Sequence, residues 1–138
     1  VTRSSVPRIL LAALFVAAGV LHFVVPSMYE AMIPPGYPTP RGLVLVSGLA
    51  EIAGGLGLLA SSRTLRRWAG WGLVVLLAAV YPANIHMALT MEAPYGLLWA
   101  RLALQGALIA WVLRSSGVLD QSDVRKSPGQ ASLARSTA

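Results

Sequence analysis

Glu51 is an acid in an apolar place. It stands near the middle of Leu43 to Ala60, LVLVSGLAEIAGGLGLLA, a run otherwise apolar or small. About 20 apolar residues of helix cross a bilayer, so this position falls near mid-membrane depth. A charged group there costs roughly 2.5–3.5 kcal/mol even on lenient insertion scales, which predicts that Glu51 is protonated or paired and faces the inside of a helix bundle. Arg101 in the last apolar run is the economical partner, because a guanidinium keeps its proton and snorkels poorly from several residues inside a span. The expected arrangement is a Glu51–Arg101 ion pair whose remaining hydrogen bonds are completed by Gln105 and Asn84.

Other polar residues fall in the same layer. Helical spacing puts Ser47, Glu51 and Gly55 on one face, and does the same for Ala18 with His22, Tyr81 with Asn84, and Arg101 with Gln105. At about 1.5 Å of rise per residue, His22, Asn84 and Arg101 lie in the outer half of the membrane, with Glu51 and Gln105 nearer its middle. As a ligand site, Arg101, Gln105 or Asn84 would donate to carbonyl oxygens and a protonated Glu51 would exchange a proton, with Ser47, His22 and Tyr81 on the wall. The same groups also suit a structural role, as polar glue between helices. His22 and His86 invite a haem or metal reading, but His86 is roughly 200° around the helix from Asn84, so both cannot face the core. Haem and metal are therefore disfavoured.

No residue is singled out as catalytic. The chain has no cysteine, which removes disulfides, thiolate metal sites and paired-cysteine thiol oxidation. It also has neither a dinucleotide fingerprint nor a P-loop.

The elements that must position these groups follow from composition. In 138 residues, 56% are hydrophobic and only 12% charged, too apolar for an ordinary soluble domain. The predicted fold is all-α: a polytopic membrane protein built as an up-down bundle of four transmembrane helices over residues 1–114. Its spans cover about 7–25, 43–60, 68–89 and 95–113. The first imitates a secretory signal, but it lacks a clear cleavage site and three more apolar runs follow, so it reads as a retained span.

Five prolines between Pro26 and Arg41 forbid a long helix there and predict a structured interfacial loop, with Tyr29 and Tyr37 at headgroup level and Met28, Met32 and Ile33 dipping toward acyl chains. Pro82 should bend the third span and free the Ala78 carbonyl, which Asn84 is placed to meet. Trp68, Trp71, Trp99 and Trp111 read as interface anchors. Glycines at 48, 54, 55, 57, 70 and 72 would allow close helix contact. A short turn carrying Glu92 joins the last two spans, and residues 115–138, rich in Ser, Gly, Gln and charge, read as a disordered tail.

Nine of the eleven basic residues (Arg3, Arg8, Arg63, Arg66, Arg67, Arg114, Arg125, Lys126 and Arg135) fall on one side of this arrangement. Both termini are therefore expected in the cytoplasm, with the proline loop and the Glu92 turn outside. The net charge of +6 reports orientation and not a nucleic-acid partner.

Read together, GVLHFVVPSMYEAMIPPGYP, LVLVSGLAEIAGGLGLL, AAVYPANIHMAL and LLWARLALQGALIAWVL resemble the DoxX-like family of small four-helix membrane proteins, over about residues 10–113. His22, Pro26, Tyr29, Pro34, Pro35, Ser47, Glu51, Gly55, Pro82, Asn84, Arg101 and Gln105 carry the likeness. One departure is Ala103, where the family often has proline. The resemblance implies association with membrane redox or oxidative-stress systems. The expected function is an accessory, oxidoreductase-associated subunit that binds a lipophilic ligand such as quinone, or docks a redox enzyme partner through its outer loop or its tail. A structural scaffold or assembly factor and a small proton-coupled transporter are the alternatives. Membrane lipids are expected partners, and a homo-oligomer is another.

Overall fold

The computed structural model describes residues 5–90 and 95–119. The Glu92 turn and the part of the tail from residue 120 onward lie outside the described residues. All the regular structure described is helical: α1 (Val6–Val24), α2 (Pro26–Glu30), α3 (Pro40–Leu58), α4 (Arg63–Thr90) and α5 (Tyr95–Ser115).

Prolines place the boundaries. Pro7, Pro26 and Pro40 each sit in the first turn of a helix, where the missing N–H has no intrahelical partner to lose. Between α2 and α3 the chain turns through Gly36, at φ +96°, and Thr39, at φ +47°, so the proline loop is shorter than its sequence suggests. α3 takes its last two residues, Pro40 and Arg41. The basic turn is likewise absorbed, because α4 starts at Arg63 and runs 28 residues, through Pro82. Arg66 donates to the Ala60 and Ser61 carbonyls at 2.9 and 3.0 Å, capping the end of α3.

α1 packs on α3, α3 on α4 and α4 on α5, while α5 also touches α1. The common core is Leu11, Ala12 and Phe15 of α1, Leu58 of α3, Leu73 and Leu77 of α4 and Val112 of α5. Glycines bring α1 and α3 together: a Cβ on Gly19 would lie 2.5 Å from the Gly48 carbonyl, and one on Gly55 would lie 2.9 Å from the Ala12 carbonyl. Gly54 and Gly57 do the same against Leu73 and Ala69 of α4, whereas Gly72 has nothing near it.

Three helices, α1, α3 and α4, are long and apolar enough to cross a membrane, and no more than 28% of any of their apolar windows is buried inside the protein. Leu10, Val24, Val46, Leu49, Leu56, Val75 and Leu89 all point outward. So large an apolar exterior suits lipid and would be costly in water. The protein is membrane-associated. Trp68, Trp71 and Trp99 are exposed on this surface, but Trp111 packs against the core.

The change of composition after Arg114 does not end the packing. Ser116 is fully buried, its Cβ crowding the space where Gly70 would carry one, and Arg67 donates to the Gly117 carbonyl at 2.9 Å. Residues 115–119 thus belong to the folded body, a correction to the tail boundary expected from sequence.

Candidate functional site

A cavity of about 590 Å3 opens among α1, α3, α4 and α5, beneath the segment from α2 to Tyr37. Its walls are largely apolar, and its polar groups are His22 of α1, Ser47 and Glu51 of α3, Asn84 of α4, Arg101 and Gln105 of α5 and Tyr29 and Tyr37 of the loop. Six of the seven residues expected from sequence therefore line one space. Tyr81 does not, and stays exposed on the outer surface. α4 lines the cavity with residues on both sides of Tyr81, Val80 and Pro82 among them, while Tyr81 itself stays outside it.

The expected Glu51–Arg101 ion pair is not formed. Among the described residues the ion-pair contacts are His22 with Glu51, Nδ1 to Oε2 at 3.4 Å, and Arg41 with Glu30 at 3.8 Å. The glycine-mediated approach of α1 to α3 explains the exchange: it sets Glu51 beside His22, while α5 packs mainly on α4. His22 Nδ1 also lies 2.8 Å from the Ala18 carbonyl, an acceptor only, so this nitrogen carries the proton and donates there. Glu51 Oε2 is left buried with no hydrogen bond.

Arg101 meets the thioether of Met32, Nη2 to Sδ 3.5 Å, which is a weak acceptor and leaves most guanidinium donors for other contacts. Met32 therefore faces inward, packed near Met87, Ala88 and Leu102, rather than toward lipid. Tyr29 is also drawn in. Its ring stacks on His22 with centroids 3.8 Å apart and planes 24° from parallel. Burial first, then the charge of Glu51, pushes the Tyr29 phenol up from its ordinary value of 10, so it remains a neutral hydrogen-bond donor.

Gln105 is bonded at both ends of its amide. Its Nε2 donates to the Leu77 carbonyl at 2.6 Å and its Oε1 accepts from Asn84 Nδ2 at 3.0 Å. Asn84 gives its amide to Gln105 rather than to the Ala78 carbonyl that Pro82 frees, and Gln105 bonds the carbonyl one residue earlier, at Leu77. Ser47 is satisfied within its own helix, donating to the Val44 carbonyl at 2.8 Å. His86 does not line the cavity, and no group of three His, Asp or Glu suited to a metal occurs among the described residues.

What sequence reading missed is the loop's contribution. Tyr29 and Met32 belong to the cavity, and a proline-rich loop has no periodicity from which their facing could be read. Comparison with family descriptions shows that residues 11–116 match a domain of unknown function, DUF8561, and the chain belongs to that family. No curated protein and no solved structure matches the chain.

Proposed function

We propose that this member of the DUF8561 family crosses the membrane as an up-down bundle of four spans, with both termini cytoplasmic, and holds a lipophilic ligand of the quinone class in its cavity as an accessory subunit of a membrane redox system. The observation that carries the reading is Glu51 Oε2, buried at the wall of a largely apolar cavity with no hydrogen bond among the described residues. An unsatisfied buried acceptor costs about 1–3 kcal/mol, which a ligand hydroxyl would recover. Arg101, whose hydrogen bond among the described residues is to a thioether, supplies the complementary donors for a ligand carbonyl. A molecule that presents a carbonyl when oxidised and a hydroxyl when reduced can use both groups. The likeness to DoxX-like sequences points the same way, and the asymmetry of basic residues supports the orientation.

The test is saturable binding of a benzoquinone bearing a photoreactive group to the full chain in lipid nanodiscs. Adducts at Tyr29, Asn84 or Arg101 that are lost in Glu51→Gln and Arg101→Gln at normal folded abundance are the expected result. Binding no different from that to empty nanodiscs refutes the ligand reading.

A scaffold role is favoured by a separate observation, the closed Asn84–Gln105–Leu77 chain, which ties α4 to α5 without any ligand. It predicts that every polar variant loses folded abundance before any binding is lost.

A further inference from the structure

A second, smaller space of about 250 Å3 adjoins the main cavity between α1 and α5. Ala18, Glu51, Leu77, Leu104 and Leu108 border both, so the two lie side by side at Glu51. Beyond it, the walls are Leu14 and Phe15 of α1 and Ala107 and Trp111 of α5, with no polar group except Glu51. Leu104, Ala107, Leu108 and Trp111 follow helical spacing and form one stripe of α5 turned to α1. Leu14, Leu104 and Ala107 are exposed on the outside of the protein, so the groove opens sideways. α1 is one of the apolar helices suited to span a bilayer, which puts that opening against lipid.

Resting on the ligand reading above, we infer that the α1–α5 groove is the seat and entry route of a single hydrocarbon chain attached to the ligand head, so that the site selects one-tailed amphiphiles arriving laterally from the bilayer. The groove runs from Glu51 toward Trp111, and from Gln105 to Trp111 is about 9 Å along α5, enough for several methylenes. Its volume is less than half that of the head cavity, which suits one chain and excludes the paired chains of a diacyl lipid. Each methylene buried there adds favourable contact only if the surrounding lipid packs it less well, so selectivity comes from shape more than from hydrophobicity.

The experiment uses the full chain in nanodiscs and two probes: a benzoquinone with a long alkyl chain ending in a diazirine, and a tail-less methylated benzoquinone. Saturable adducts at Leu14, Leu104 or Ala107 are expected. Ala107→Trp should weaken the long-chain probe about tenfold by steric overpacking of the groove and leave the tail-less probe unchanged. Leu14→Trp, which obstructs the groove from its other wall, should do the same. Adducts confined to the loop around Pro34 and Tyr37 would overturn the groove while leaving the head site standing. Equal saturable labelling by a diacyl phospholipid carrying the same diazirine would overturn the one-chain selectivity. Failure of both quinone probes to bind would remove the ligand reading and this inference together.

Discussion

Replacing Gln105 with leucine separates the structural part of the polar layer from the part left for a ligand. Gln105 is only 4% exposed and makes two side-chain bonds, to the Leu77 carbonyl at 2.6 Å and from Asn84 at 3.0 Å. Leucine keeps nearly the same volume, so the cavity penalty is small and the cost is that of the lost bonds. The bond from Asn84 is the cheaper one, because Asn84 lines the open cavity and its amide can turn to water or ligand; about 0.6 kcal/mol is the usual figure for such a bond in a membrane bundle. The Leu77 carbonyl loses a short, buried bond, worth about 1 kcal/mol or slightly more. The sum predicts a loss of about 1.5–2 kcal/mol for Gln105→Leu and about 0.6 kcal/mol for Asn84→Ala. Reversible unfolding in mixed detergent micelles, followed by circular dichroism, measures both. The double variant should fall short of additivity by about 0.6 kcal/mol, the energy of the shared bond. Should Asn84→Ala cost as much as Gln105→Leu, the bond to Leu77 is not what joins α4 to α5; should the two add without coupling, the Asn84–Gln105 bond contributes nothing.

Gly48→Val should be among the most damaging changes in the chain, because a Cβ there already lies 2.6 Å from the His22 Cβ; loss of folded protein in a thermal melt checks it. Gly72→Ala, with open space around it, should instead stabilise α4 by up to about 1 kcal/mol in the same melt. Arg41→Ala breaks a long contact with Glu30 from a largely exposed side chain and should change stability by less than about 1 kcal/mol. Tyr29 holds its proton more tightly when folded, so its contribution is full below pH 10, the unfolded value, and is lost as the pH rises through the higher folded value. An ultraviolet titration should show a late-ionising tyrosine component that vanishes in Tyr29→Phe.

How much of the site could be read in advance depended on which element carried the residue. Glu51, Asn84, Arg101 and Gln105 were legible because a polar group in an apolar helical run must turn inward, whatever its partner. Tyr81 was misplaced although Val80 and Pro82 on either side of it line the cavity, because periodicity alone does not fix which way a ring at the edge of the cavity turns. Met32 was misjudged because a loop has no periodicity from which to infer its facing; only the path through Gly36 and Thr39 brings its sulfur to Arg101. Ser116 was assigned to a tail on composition, and is buried only because Gly70 leaves room for it on α4.

Local chemistry in the sequence determined the helical class, the start of the first helix around Pro7, the apolar exterior and the polar layer of the later helices, since each follows from a residue's own steric or solvation demands. The choice of partner within that layer belonged to the tertiary structure. Two sets of glycines let α1 approach α3 more closely than α5 does, so Glu51 stands beside His22 and Arg101 is left facing the cavity. Interhelical distance, a property of pairs of helices and not of any one segment, decided which charges meet.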